Sequence, residues 1–365
     1  GADGEIIAGR GFWPGLCVSL KHNSKFASFI IIAKGDYPAE LHIPLPFSLV
    51  NNDVTHDKLV VMPGYWFLYN MYALARNVTK YESRDKRTEK KQVFEYDFLA
   101  PDSVNEMFDA LAKMEMLAAE AYAKASRKSL TGHQLAKTGR DLLQNRPGEA
   151  EGLEILAPGF ENSNRKVQLV KVPEACRVFR ELIIYYGITE LMRYMEENHI
   201  RHWDSLQKKL PKKPVRQPWR NIGAQLMPAT QVQALIRNIR SGTINSWEEI
   251  HAFYEKKSAD YHTEKFRHAF ASLLEIRGLS RSGFSKKILV QLIREAMATR
   301  AWMTQNIYAS RAKDYQNPFR AMVYDNDKEM DKVIGSLADN QFIRQQREET
   351  AAWIKKAEVM ILNLG

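Results

Sequence analysis

The sequence predicts a mixed fold: a short run of parallel β-helix coils at the N-terminus, followed by a large, mainly α-helical region. Two observations predict it. Between Ile6 and Val50, small residues recur at a spacing of six: Gly9, Gly15, Ala27, Ala33 and Ala39. Lys21, preceded by Leu20, is the one break in the series. Their preceding neighbours are Ala8, Pro14, Phe26, Ile32 and Pro38. A six-residue repeat is the signature of a parallel β-helix whose flat faces meet at tight corners. The small residue fits where the backbone turns without room for a side chain, and its neighbour fills the coil interior. From Pro101 onward, apolar residues instead fall on helical stripes behind capping signals.

The elements follow in chain order. Asn51 to His56 is polar and ends the repeat, and Leu59 to Met62 is a short apolar run. Pro63 and Gly64 open a helix through about Arg76 that is apolar nearly all round, from Tyr65, Trp66 and Phe67 to Leu74. Such a helix is buried, and its aromatics supply area to a core rather than a ligand box. Lys80 to Lys91 carries both signs of charge and reads as an exposed loop, and Gln92 to Phe98 as a short strand. Pro101 starts a long helix, with Ser103-Val104-Asn105-Glu106 as a capping box and a stripe through Met107, Leu111 and Met114 to about Arg127. A shorter helix spans roughly 134 to 144, and Arg146-Pro147-Gly148 stops it. Val167, Leu169 and Val172 alternate as an extended entry to a helix that begins at Pro173 and runs to Met195.

Lys208 to Pro218 holds three prolines and is the clearest linker, extended and semi-rigid. Beyond it the chain is helical to its end. Val232, Leu235 and Ile236 form one stripe. Ser246-Trp247-Glu248-Glu249 caps a helix to about Arg277. Helices are also expected over 284 to 313, 327 to 338 and 340 to 362. The domain reading is 1–57 for the terminal coils, 58–100 for a connecting helix and loop, and 101–365 for the helical domain. A sub-boundary falls near 208–218.

A family resemblance enters on three stretches. They are Gly9-Arg10-Gly11-Phe12-Trp13-Pro14-Gly15, Lys21-His22-Asn23-Ser24 and Leu45-Pro46-Phe47-Ser48-Leu49-Val50-Asn51-Asn52, and Met62 to Tyr72 adds to the match. They resemble the last coils of a bacterial family of uncharacterised proteins. Members of that family are similar to hexapeptide-repeat, left-handed β-helix transferases in their N-terminal half and carry a large C-terminal region of unknown role. The resemblance implies that the coils are left-handed and assemble the protein as a homo-oligomer, commonly a trimer. The repeat starts beside Gly1 without a capping segment, and two to three coils are close to the minimum for a stable stack. Earlier coils are therefore expected upstream.

Composition bounds the partners. A chain of 365 residues with 45% apolar residues is globular and long enough for a sizeable core. The 53 basic against 43 acidic residues give +10. These charges are dispersed over helix faces, which reads as a basic soluble surface rather than a nucleic-acid interface. Cys17 and Cys176 have no metal-type spacing, so neither a disulfide framework nor a zinc site is expected, and a reducing, cytoplasmic compartment fits. No stretch approaches the roughly 20 apolar residues of a membrane helix, and no signal peptide is expected at the start.

The chemistry expected of the chain centres on His22, with Asn23 and Ser24 to orient it or the substrate. Hexapeptide acyltransferases resemble this layout in using a coil histidine as general base, and the near-neutral pKa of histidine suits that role. His42 is a second candidate. The substrate implied is a sugar or sugar nucleotide. The alternative is a non-catalytic protein in which the coils assemble and the helices bind a partner. Glu196-x-x-His199 and Glu248-x-x-His251 have the spacing of di-iron bundle ligands. However, His199 sits at a helix end and Glu248 in a first turn, so no metal and no other cofactor is expected. Walker, Gly-x-Gly-x-x-Gly and Gly-x-Ser-x-Gly motifs are missing from the sequence, so it gives ATP hydrolysis, Rossmann redox chemistry and α/β-hydrolase catalysis no support.

Overall fold

Seven strands of two or three residues occupy the start of the computed structural model, which describes residues 4–364. They are β1 (Ile6–Ala8), β2 (Trp13–Pro14), β3 (Val18–Leu20), β4 (Ser24–Phe26), β5 (Ile31–Ile32), β6 (Gly35–Tyr37) and β7 (His42–Ile43). All pair in parallel, β1 with β4 and β4 with β7, β2 with β5, and β3 with β6. Partners lie 18 residues apart in β1–β4 (Ile6 opposite Ser24) and 17 in β3–β6 (Val18 opposite Gly35). β8 (Leu49–Asp53) joins β5 in parallel and turns back antiparallel to β9 (Lys58–Met62). Later in the chain, β10 (Ile155–Leu156) and β11 (Lys166–Leu169) complete a six-stranded mixed sheet, ordered β10-β11-β9-β8-β5-β2.

The expected left-handed parallel β-helix is therefore corrected. The chain is a mixed α/β protein, about 57% helical, whose N-terminal strands are short and spread over several sheets. The six-residue spacing of small residues had a different physical origin from the one assigned to it. Gly9 and Gly15 have ordinary negative φ; a Cβ on Gly9 would meet Ser28 N at 2.5 Å, and one on Gly15 would meet Ile32 O at 2.8 Å. They are small because a neighbouring strand's backbone passes against them. The turns lie two residues further on. There Gly11, Cys17, Asn23 and Phe29 adopt φ between 56° and 67°, and three of the four are not glycine.

Two compact units share the chain. The first comprises the residues up to Tyr69 together with Ser103–Arg180, and the second comprises Asn70–Asp102 with Glu181 onward.

In the first unit, the sheets are closed by α1 (Tyr65–Tyr69), which buries Trp66 and Phe67. Phe47 is fully buried, stacked 4.8 Å from Phe29 and within 4.6 and 6.4 Å of Phe67 and Phe179. Trp66 Nε1 donates to Phe29 O at 2.7 Å, so the indole buries its ring without orphaning its donor. Each fully buried aromatic of this kind stabilises by roughly 1.5–3 kcal/mol.

The expected single helix to Arg76 breaks at Asn70 and resumes as α2 (Met71–Arg84), so the expected charged loop is helical in its first part. The expected strand at 92–98 is irregular backbone. α3 (Pro101–Ser126) begins at Pro101, two residues before the expected capping box. Ser103 is thus inside the helix and fully buried, and Glu106 turns its carboxylate to the Ser28 amide at 2.8 Å. α4 (Gly132–Asn145) and α5 (Pro147–Glu151) follow, and α6 (Val172–Glu197) runs on after β11.

The remaining elements belong to the second unit. α7 (Trp203–Lys209) precedes the proline-rich strap. β12 (Trp219–Ile222) and β13 (Gln225–Pro228) form a hairpin that no alternation in the sequence announces. α8 (Ala229–Arg240), α9 (Trp247–Arg277), α10 (Lys286–Gln316), α11 (Pro318–Ala321), α12 (Asp327–Ile334) and α13 (Gln341–Asn363) complete it. The Ser246 capping box of α9 forms as expected, and Gly278 ends that helix in the left-handed conformation. α10 packs against both α2 and α13.

Candidate functional site

Tyr261, Lys265 and His268 on α9 fall at i, i+4 and i+7, which puts them on one helix face. On α6, Tyr186, Glu190, Arg193 and Glu197 repeat the same spacing. Between them runs the irregular segment carrying Glu95 and Asp97. Two backbone bonds pin it: Val93 N donates to Ser258 Oγ at 3.1 Å, and Glu95 N to Ala224 O at 3.0 Å.

The three segments converge on Lys265, which is 6% exposed. Its Nζ donates to Glu95 Oε2 at 2.9 Å and lies 3.2 Å from Glu190 Oε1. Glu95 also accepts from the Tyr261 hydroxyl and, through Oε1, from Asp97 N at 2.9 Å. Glu190 is bound on its other oxygen by Arg193, whose Nε is 3.0 Å away. Tyr186 Oη and His268 Nδ1 are hydrogen-bonded at 3.2 Å. Buried charges are tolerable only when paired and hydrogen-bonded in this way.

The electrostatics divide the groups by role. Burial alone would push the Lys265 ammonium down, but Glu190, Glu95 and Asp97 outweigh it and hold its pKa well above the ordinary lysine value. Asp97 goes the other way to a usual surface aspartate. Burial raises it, Lys265 opposes, and the neighbouring Glu95 adds to the rise. Burial, then Arg216 and Lys265, push His268 down to about 3, so its ring is neutral at physiological pH.

Beside this network lies a cavity of about 200 Å³ in the second unit. Glu82, Asp97, Glu190 and Glu349 line it, and Arg300 is the one basic residue in its lining among the described residues. Arg300 is held in place, donating from Nε to Thr350 Oγ1 at 2.9 Å and from Nη1 to Tyr185 Oη at 3.2 Å. Its Nη2 is 3.8 Å from Glu349. Thr189 Oγ1, also on the wall, is buried without a hydrogen-bond partner among the described residues. Such an atom costs about 1–3 kcal/mol unless something satisfies it.

The residues singled out in the sequence lie elsewhere. His22 is partly buried, Asn23 is exposed and Ser24 is buried. Asn23 sits in a left-handed turn and donates its amide to Glu5 O at 2.8 Å. Ser24 Oγ donates to Lys21 O at 2.7 Å and accepts from Leu41 N at 2.9 Å, which stitches neighbouring strands together. The three are consecutive, but Ser24 turns inward and Asn23 outward. The His42 amide donates to Phe160 O, and burial, Lys25 and Lys113 lower its ring pKa. Glu196 pairs with Lys356 at 2.9 Å, while His199 lies past the end of α6. Glu248 and His251 are exposed. Among the described residues, no three His, Cys, Asp or Glu side chains converge as metal ligands.

These features define a mixed α/β protein whose second unit carries a buried ion network beside a small acidic cavity. Residues 202–364 match a family described as a domain of unknown function (DUF6819). That match includes Lys265, His268, Arg300 and Glu349, whereas Glu95, Asp97, Tyr186 and Glu190 come from outside it. The chain is also 38% identical over 351 residues to an uncharacterized protein of Treponema pallidum (strain Nichols). The aligned region is 96% of this chain but 46% of that relative, so the chain spans about half the relative's length. No solved structure matches. No helix among the described residues is long and apolar enough to cross a membrane.

Sequence reasoning missed Lys265, Glu95, Asp97 and Glu190. The sequence carried no signal for them, because the neighbours at helical spacing are themselves polar: Tyr261 and His268 about Lys265, and Tyr186 and Arg193 about Glu190.

Proposed function

We propose that the second unit is a binding domain for a small, positively charged organic compound, an amine or guanidine, held in the acidic cavity. The observation that carries this reading is the imbalance of the lining, four carboxylates against Arg300 around about 200 Å³. That volume equals the share of roughly six or seven liquid waters at about 30 Å³ each. It lies below the range of about 300–1,000 Å³ typical of drug-sized ligands. The ligand is therefore small. Glu190 is compensated by Lys265 and Arg193, and Glu349 by Arg300, Gln345 and Gln346. Glu82 and Asp97 add their carboxylates to the wall where a ligand cation would sit, and Thr189 Oγ1 offers it a hydrogen-bond acceptor. The network around Lys265 fixes the Asp97 segment and so pre-organises the wall.

Asp97 gives the reading a pH signature. Its carboxyl is raised, so it holds a proton at pH values where an ordinary aspartate is ionised. A cation binds the ionised form, so affinity should rise as pH climbs through the raised value. Titration calorimetry with arginine, lysine and 1,4-diaminobutane at pH 5, 6.5 and 8 tests this. At least one should bind, most tightly at pH 8, and Asp97→Asn should weaken it at least tenfold and flatten the pH dependence. Failure of all three probes to bind at millimolar concentration would remove the reading.

A further inference from the structure

The proline-rich segment before β12, read from sequence as an extended, semi-rigid linker, forms one wall of a second cavity of about 400 Å³. The segment is tied down. Arg216 grips Glu275 on α9 with two bonds of 2.8 Å, from Nε and Nη2, and Pro218 O accepts from Ala229 N at 2.8 Å. The floor is aromatic. Trp219 and His268 meet edge to face at 6.1 Å and are 9% and 3% exposed. The mouth is basic. Lys212 and Lys213 from the segment and Arg267 from α9 line it, with Glu264 as the carboxylate, bound to Arg267 at 2.9 Å. Three cations thus surround one carboxylate, the reverse of the first cavity.

We propose that this cavity is a second ligand site, one that takes the phosphate group of a small phosphorylated compound. Lys212, Lys213 and Arg267 would hold the phosphate, and the compound's organic part would rest on the floor made by Trp219, His268 and Pro228. Three lines support it. Prolines at 211 and 214 hold the two lysines at the mouth at little ordering cost, since the extended conformation is pre-set. A planar guanidinium together with two ammonium groups is the standard chemistry for a phosphate dianion. His268 is neutral, so it can hydrogen-bond Tyr186 without adding a buried charge to the floor. Burial is the first cause of the low pKa of His268, with Arg216 and Lys265 adding to it. The site is independent of the amine reading, because it uses different residues and the opposite charge.

Titration calorimetry of the full chain with AMP, adenosine and inorganic phosphate tests the proposal. AMP should bind and adenosine should not. AMP affinity should fall as salt rises, because exposed charges are screened. Lys212→Ala/Lys213→Ala/Arg267→Ala removes exposed side chains and should keep the melting temperature while weakening AMP at least tenfold. Inorganic phosphate should bind more weakly than AMP and be lost in the same variant. Equal binding of adenosine and AMP, no binding of AMP at millimolar concentration, or full AMP affinity in the triple variant would each overturn it.

Discussion

Gly139→Ala is expected to destabilise the first unit by about 2 kcal/mol. A Cβ built on Gly139 in α4 falls 1.8 Å from Glu115 O and 2.5 Å from its carbonyl carbon in α3. Both are backbone atoms, so no rotamer change relieves the contact, and the two helices must part. Overpacking of this kind costs about 1–3 kcal/mol, and the contact here places it at or above the top of that range. Alanine returns about 1 kcal/mol of helix propensity, which leaves the loss dominant. Parting the helices would also stretch the Arg140–Glu115 pair, already 3.4 Å apart across the same contact. Gly148→Ala is the control, since a Cβ there meets nothing within 4 Å. Urea melts should show a clear drop for the first variant and no loss for the second. Wild-type stability in Gly139→Ala would mean that α3 and α4 do not approach so closely.

Much of the helical part was legible because its signals are local. Ser246 and Glu249 sit three apart and cap α9 as their spacing requires, and Asn317-Pro318 ends α10 where the ring forbids continuation. The N-terminal strands misled because the turns there carry no consistent residue type. Cys17 and Phe29 hold φ of 56° and 57°, a conformation that favours glycine, while the glycines at 9 and 15 answer to a close backbone instead. Reading small as corner therefore misplaced the corners by two residues. The β12–β13 hairpin was hidden for a related reason. Its turn uses Gly223 and Ala224, both at positive φ, where a sequence reader looks for Asn-Gly. The candidate site could not be read at all, because Glu95, Glu190 and Lys265 are separated by up to 170 residues. Each residue alone looks like an ordinary solvated charge, and only the tertiary fold shows that all three are buried.

Lys265→Met is expected to cost the second unit about 3–5 kcal/mol, the range for breaking a buried ion pair from one side. Methionine matches the stem and loses little packing. What it removes is the ammonium between Glu95 and Glu190. Glu190 keeps Arg193 and Glu95 keeps the Tyr261 hydroxyl, so most of the cost falls on Glu95. The pH dependence separates this electrostatic loss from a packing loss. In the wild type the folded Lys265 pKa stands above the unfolded value of about 10.4. Its contribution is therefore complete below that pH and is lost only as pH rises through the folded value. In Lys265→Met a buried carboxylate has lost its cation, and because burial disfavours the charged form the variant folds more easily when that group is protonated. The deficit against wild type should be largest at pH 8 and shrink as pH falls toward 5. Adding Glu95→Gln should recover part of the loss at pH 8 and little at pH 5, as expected for residues that interact directly. Urea melts of the single and double variants at both pH values measure all of this, and a deficit equal at pH 5 and pH 8 would assign the loss to packing and dissolve the ion network as the organiser of the site.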